Sequence, residues 1–354
     1  MRSRAASRQV RDVAQGFGLV EAMIGMLIGV MALLAVYQAF TVAERLKRNT
    51  NAMSDTQVGG MFASFALGME LANAGAGLST AARELGTCSD PGDFAHSMRP
   101  IPVLITDSGA ASTPDMFAIN YGLASALAST APFAAFAAAG SDYTVHSPAG
   151  IHDGDLIVAI SMAGPCASSR VAAVGAPDDN GNVTIAHSGA PIDFAASSQL
   201  FNFGPAERVE KMQYYVSNGI LESKRLLDKD GVPDTTQVPQ PIASNVVNLK
   251  LQYGIDTDGD GALDAWVDAT GDWAPAALLA APVATVNRIK AVRLGIVVRS
   301  EQFDSEYLVP APWSMFDGQV SGSILASKSP PGNWRLRTYE TIIPLRNAIW
   351  NRMT

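Results

Sequence analysis

Histidine and cysteine are scarce in this sequence, and the motifs of common enzymes are missing from it. The chain has two cysteines and only four histidines, His96, His146, His152 and His187. The histidine spacing does not match a metal site such as His-Glu-x-x-His. No Gly-x-Ser-x-Gly motif, glycine-rich phosphate loop or cysteine–histidine arrangement occurs. These absences predict a chain that is not an enzyme.

Basic residues are fewer than acidic ones: the chain has 25 lysines and arginines, 33 aspartates and glutamates, and a net charge of −8. Residues 1–16 hold four arginines and one aspartate, so losing them would change the net charge to −11. Such acidity argues against a nucleic-acid partner and favours solubility outside a membrane.

Charged residues are absent from Ala22 to Phe40, and one acid, Glu21, directly precedes this apolar run. The 24 residues from Phe17 to Phe40, at ~1.5 Å each, are long enough for a hydrocarbon core of roughly 30 Å. Burying the Glu21 carboxylate there costs roughly 2 to 3 kcal/mol, so we expect a positive partner. Because the segment has no lysine or arginine, the expected partner is an α-amine freed by cleavage between Gly16 and Phe17, on the same chain or a neighbour.

The basic segment Met1–Gly16 predicts a leader that stays in the cytoplasm. A secretory signal peptide has its small-residue cleavage site after the apolar region, whereas Gly16 precedes it here. The alternative is an ordinary signal anchor in which Glu21 is incidental.

Beyond Phe40 the sequence predicts that the helix continues and then meets an α+β head. Apolar residues recur at helical spacing, and we expect this stripe to face the head; it contains Val58, Met61, Phe62, Phe65, Met69 and Ala72. The pattern stops at residues 73–77, where glycines favour a helix cap. Seven strand-like runs follow, at 115–121, 155–161, 211–216, 220–226, 246–253, 289–298 and 337–343.

These elements predict a long N-terminal α-helix packed on a mainly antiparallel sheet. The expected divisions are a leader at 1–16, a helix at 17–76 with its membrane segment at 17–40, and a head at 77–354. Asn218-Gly219 predicts a hairpin turn. The alanine-rich residues 110–140 are expected to be a helical or loop insertion.

The run Gly16-Phe17-Gly18-Leu19-Val20-Glu21 before an apolar helix resembles the class III leader of type IV pilins and type II secretion pseudopilins. In those families a prepilin peptidase cleaves after the glycine and methylates the new N-terminal phenylalanine. The glutamate is tied there to the N-terminus of a neighbouring subunit. The resemblance therefore implies processing at Gly16 and Phe17 and an assembly role for Glu21.

Segments 115–122, 154–158, 247–261, 289–299 and 337–347 are similar to minor pilins of the PilW type. The resemblance implies a non-catalytic subunit of the inner membrane, with its head in the periplasm, that helps to initiate pilus assembly. Implied partners are the major pilin, PilV-, PilX- and FimT-type minor pilins and a PilY-type tip adhesin, with roles in adhesion and motility. The alternatives are a J-type pseudopilin of type II secretion and a non-polymerising anchored binding protein.

An acidic run between two predicted strands reproduces the start of a D-x-D-x-D-G calcium loop. The predicted Ca²⁺ ligands are Asp256, Asp258, Asp260 and Asp264. The twelfth position is Val267, where an EF-hand has a glutamate, and Asp268 comes one place late. The motif therefore predicts a weak calcium loop in a β-hairpin, and an acidic turn without an ion is the alternative.

Both cysteines, Cys88 and Cys166, follow the membrane segment. In an oxidising periplasm they are expected to form a disulfide. Two unpaired cysteines in the core are the alternative.

Overall fold

The apolar segment and the residues that follow it form one helix, α1 (Leu19–Asn73). No proline interrupts this sequence, which is rich in alanine, leucine and methionine, all strong helix formers. The helix ends where predicted, because Gly75 adopts a φ of 76° that favours glycine. The Gly75 N–H then donates to the Asn120 carbonyl at 2.8 Å, which ties the end of α1 to the head.

The computed structural model describes residues 18–76, 101–121, 130–148, 150–161, 166–188, 192–205, 209–228, 234, 236–304, 307–324, 327–328 and 331–349. It divides the chain into two compact units, residues 1–52 and 53–354. All contacts between α1 and the head given below lie within the second unit.

Two antiparallel sheets form the part of the head that packs on α1. The first has the strand order β1-β2-β9-β10-β11. Its strands are β1 (Val103–Thr106), β2 (Met116–Tyr121), β9 (Glu210–Ser217), β10 (Ile220–Arg225) and β11 (Gln240–Ser244). The second has the order β13-β12-β14-β19. Its strands are β12 (Val246–Ile255), β13 (Ala265–Val267), β14 (Ile289–Arg299) and β19 (Leu336–Pro344).

A third sheet of six strands, inserted between β2 and β9, closes into a small barrel that the sequence patterns do not predict. Its strand order is β3-β8-β5-β6-β7-β4, and an antiparallel bridge between Phe133 and Val145 joins its two ends. Its strands are β3 (Thr130–Pro132), β4 (Tyr143–Val145), β5 (Asp155–Ile160), β6 (Cys166–Val174), β7 (Val183–His187) and β8 (Gln199–Pro205). The barrel has its own apolar core around Phe133, Tyr143 and Phe194.

Short elements complete the described part of the head. Two hairpins pair β15 (Ala311–Met315) with β16 (Val320–Ile324) and β17 (Ser327–Lys328) with β18 (Pro331–Gly332). A 3₁₀ turn covers Gly271–Trp273, and three short helices are α2 (Pro275–Ala280), α3 (Val283–Val286) and α4 (Arg346–Ile349).

The predicted α+β architecture is confirmed, and all seven predicted strands are present. The hairpin turn at Asn218-Gly219 is also confirmed, since both residues have the positive φ, 50° and 78°, of a type I′ turn. The helical alternative for residues 110–140 is wrong where the structure describes them. There the chain forms β2 and β3 with turns, because the strand residues pair with β1, β8 and β9.

The predicted packing face of α1 is wrong. Val58, Met61, Phe62, Phe65 and Met69 are each more than half exposed. The head instead covers a face with smaller side chains, at Thr56, Gly60, Ala63, Leu67, Leu71 and Ala74. This second set has the same helical spacing, so the period alone did not distinguish the two faces.

The buried face of α1 permits a close approach to β19. Tyr339 places its ring on Gly60, and its hydroxyl donates to the Thr56 carbonyl at 3.1 Å. Leu67 and Leu71 are fully buried in the core shared with both sheets, and each contributes roughly 1.5 to 3 kcal/mol.

Two buried polar contacts join the sheets to each other. Lys250 of β12 pairs with Asp115, which precedes β2, at an Nζ–Oδ1 distance of 2.6 Å. The Tyr253 hydroxyl, also on β12, donates to the Val103 carbonyl and accepts the Ile105 N–H at 3.2 and 2.6 Å. These contacts hold β12 against β1 and β2.

The neighbouring glycines Gly59 and Gly60 test this helix packing. A Cβ at Gly60 would overlap the Tyr339 ring, whereas a Cβ at Gly59 meets nothing within 4 Å. We expect Gly60→Ala to lower the free energy of unfolding by about 1 to 3 kcal/mol through overpacking. The control Gly59→Ala should raise it by about 0.5 to 1 kcal/mol, because alanine favours the helix. Denaturant unfolding of the detergent-solubilised chain measures both values, and equal effects would contradict this packing.

Candidate functional site

Glu21 lies in the first turn of α1, at the head of the apolar segment. A window of 18 residues in this helix has a mean hydropathy of 2.4 and is not buried, so α1 is long and apolar enough to cross a membrane. Glu21 is exposed, and its side chain has no hydrogen bond or ion pair with the other described residues. The helix N-terminus favours an acid at this position. The predicted processing residues Gly16 and Phe17 lie outside the described residues.

The exposed apolar face of α1, defined here as Val58, Met61, Phe62, Phe65 and Met69, lies beyond the membrane-length segment. Their exposed fractions are between 52% and 66%. Contiguous apolar side chains on a soluble head typically mark an interaction site. The described head therefore leaves one side of this part of α1 available to a partner.

A groove of about 550 Å³ borders this face on the side of β19. Its helix wall contains Met61, Ser64, Phe65, Gly68, Met69, Ala72 and Asn73, and its other wall is Tyr339, Glu340 and Thr341 of β19. No local sequence signal predicts this groove, because it depends on the long-range contact between α1 and β19.

The acidic run forms a tight loop between β12 and β13. Asp256 is buried, and its two carboxylate oxygens accept the N–H groups of Gly259 at 2.6 Å and Gly261 at 2.8 Å. Both glycines have positive φ, 86° and 94°, which this turn requires. Lys290 Nζ lies 3.7 Å from Asp256 Oδ2 and partly compensates the negative charge.

The loop brings three of the four predicted calcium ligands together. Carboxylate oxygens of Asp256, Asp258 and Asp260 lie within 4.8 Å of one another, the only such group of potential metal ligands among the described residues. Hard oxygen donors at this separation suit Ca²⁺.

Asp264 lies outside that group of three and closes the loop. Its Oδ2 accepts the Thr257 N–H at 2.6 Å and the Thr257 hydroxyl at 2.7 Å. These hydrogen bonds stabilise the carboxylate and hold the pKa of Asp264 below its usual value. Asp268 is engaged elsewhere, because its Oδ1 accepts Gln252 Nε2 at 2.6 Å.

Cys166 is the first residue of β6 and is buried. It is disulfide-bonded in the structure. The other cysteine, Cys88, lies outside the described residues, so the pairing of Cys88 with Cys166 stays a prediction.

Comparisons with known proteins found a family and a solved structure that are similar to parts of this chain. No curated protein matches the sequence. A type IV-like pilin from Thermus thermophilus resembles the chain with 14% identity, over 40% of this chain, and a TM-score of 0.22. The alignment covers 66% of that pilin, just under two thirds of its length. A family model for the type IV pilus-assembly protein W, PilW, matches residues 213–347. That match confirms the resemblance to PilW-type proteins of the type IV pilus, and it runs from β9 into α4.

Proposed function

We propose that this chain is a minor pilin that helps to initiate type IV pilus assembly and lies in a tip or priming complex. The observation that carries the proposal is α1 itself. It has an acid at the head of a membrane-length apolar segment and a second, exposed apolar face beside the head. A subunit with both features has two surfaces that remain unfavourable in contact with water or lipid until another chain covers them.

Glu21 supports an assembly role because a carboxylate within an apolar layer needs a cation at the same depth. Cleavage after Gly16 by a prepilin peptidase would free the α-amine of Phe17. The corresponding amine of a neighbouring subunit would then lie at the depth of Glu21. The pairing of the Glu21 carboxylate with this amine would favour neighbouring subunits that pack at the correct height. It requires a second subunit.

The proposed partners are the major pilin, PilV-, PilX- and FimT-type minor pilins and a PilY-type tip adhesin. The proposed location is the inner membrane, with the head in the periplasm, and then the extracellular pilus. The match to PilW over residues 213–347 favours the pilus over a J-type pseudopilin. A non-polymerising anchor would leave the exposed face of α1 without a purpose.

We also propose that the acidic loop binds Ca²⁺ through Asp256, Asp258 and Asp260, with Asp264 holding the loop closed. Three clustered carboxylates repel one another, and a divalent cation removes that repulsion. Lys290 already compensates part of the charge at Asp256, which supports weak rather than tight binding. The expected dissociation constant is roughly 10⁻⁴ to 10⁻³ M.

Replacement of Glu21 tests the assembly role. Glu21→Ala should leave membrane insertion and cleavage intact, because it removes a buried charge, but it should abolish incorporation into filaments. Glu44→Ala is the matched control, since Glu44 lies further along the same helix and should be dispensable. Immunoblots of sheared filaments and of membranes measure how much of each variant is in the filaments and how much is in the membrane. Normal incorporation of Glu21→Ala would favour the non-polymerising anchor.

Two equally exposed phenylalanines test the apolar face of α1. Phe65 is 66% exposed on this face, and Phe136 is 63% exposed on the barrel insertion. Because both side chains are exposed, each serine substitution should change the free energy of unfolding by less than about 0.5 kcal/mol. We expect Phe65→Ser to reduce incorporation into filaments and Phe136→Ser to leave it unchanged. Equal incorporation of both variants would exclude this face from assembly.

Calcium and chelator test the acidic loop. Calcium at one hundred times its dissociation constant should raise the free energy of unfolding by about 2.7 kcal/mol. The purified chain should therefore melt at a higher temperature in calcium than in chelator, and Asp258→Ala should remove most of that difference. The control Asp179→Ala removes an exposed acid from the turn between β6 and β7 and should preserve it. Equal melting temperatures of the wild-type chain in both conditions would contradict calcium binding, and the loop would then be an acidic turn without an ion.

A further inference from the structure

Among the described strands of the two sheets that pack on α1, β19 has the longest unpaired outer edge. β19 ends its sheet and has nine residues, of which only the last, Pro344, is a proline, and no other described strand pairs with its outer edge. The other outer strands are short or interrupted: β13 has three residues, β1 has four, and β11 contains Pro241 and an irregular register. Soluble proteins usually protect long edges, because an unpaired edge can bind another strand.

The backbone groups on this edge can be assigned from the pairing of β19 with β14. Ser300 donates its N–H to the Arg335 carbonyl, and Leu345 donates to the Lys290 carbonyl. The register between these two contacts is regular, so the odd-numbered residues of β19 bond to β14. Thr338, Glu340 and Ile342 therefore direct their backbone N–H and C=O groups outward.

The groove described above lies beside this edge. Its β19 wall is formed by residues 339–341, and its helix wall carries the side chains of Met61, Phe65 and Met69. These three residues also belong to the exposed apolar face of α1, so the groove continues the proposed assembly surface. A strand that entered here would meet backbone hydrogen-bonding groups on one side and apolar side chains above.

We propose that the outer edge of β19 binds an extended segment of a partner chain as an added strand. Every second residue of that segment is apolar and packs on Met61, Phe65 and Met69 of α1. A helix in the same place would leave the outward N–H and C=O groups of β19 unpaired, because its own backbone groups are already bonded. This inference rests on the proposed function only in that a pilus subunit has partner chains.

Photo-crosslinking from two positions on α1 tests the conformation of the occupant. Benzoyl-phenylalanine is placed at Ser64 or at Gly68 of the full-length chain, in cells that assemble filaments. Both positions line the groove, and a Cβ at Gly68 has no atom within 4 Å. Ser64 and Gly68 are four residues apart on α1, which is about 6 Å along the helix axis. A partner segment spans that distance with about two residues if it is a strand and about four if it is a helix. We expect mass spectrometry to place the two crosslinks about two residues apart in the partner.

A proline at Ile342 tests the hydrogen bonds of the edge. Ile342→Pro removes an outward N–H without removing a bond to β14, and Ile342→Ala keeps that N–H while shortening the same exposed side chain. The crosslink yield from Ser64 should fall by about tenfold in the proline variant and persist in the alanine variant. The melting temperatures of both variants check that each chain is folded.

Crosslinks about four residues apart in the partner would show a helix in the groove and overturn the added strand. The absence of crosslinks from both positions in a chain that is incorporated into filaments would also overturn it. Either result would leave the assembly role intact, because that role is tested separately by Glu21→Ala.

Discussion

The contact between Tyr339 and Gly60 determines how the second half of α1 meets the head. A side chain at Gly60 would displace the Tyr339 ring. The tyrosine hydroxyl adds a hydrogen bond to the Thr56 carbonyl. The close approach requires small residues on the buried face of α1. The larger apolar residues, Met61, Phe65 and Met69, consequently remain on the opposite flank, where the head does not cover them.

The same contact explains why the groove and the edge of β19 occur together. Because Tyr339 is part of β19, docking this strand beneath α1 also brings its outer edge to the exposed flank of the helix. The acidic loop, β14 and β19 all lie within the residues that match PilW. The six-stranded barrel at residues 130–205 lies outside that match.

The local pattern of the sequence predicted the local structure well. The membrane-length helix, its glycine cap, the Asn218-Gly219 turn and the seven strands each depend on residues close together in the chain. The face of α1 was not predictable, because two apolar sets share the helical period and contacts from distant parts of the chain, such as that of Tyr339 about 280 residues away, select between them. The barrel was missed because its closing strands, Thr130–Pro132 and Tyr143–Val145, have three residues each and carry little pattern. The loop sequence predicted the cluster of three aspartates, but the engagement of Asp264 with Thr257 required the folded turn.

The central claim is that α1 is an assembly surface, and that cleavage after Gly16 completes it by freeing the α-amine of Phe17. Mass spectrometry of sheared, membrane-free filaments measures it most directly, because it reports both the presence of this chain and its N-terminus. The account predicts peptides of the head together with a mature N-terminus at Phe17 that is methylated. A chain that is absent from filaments, or that begins at Met1 or beyond Phe40, would contradict it.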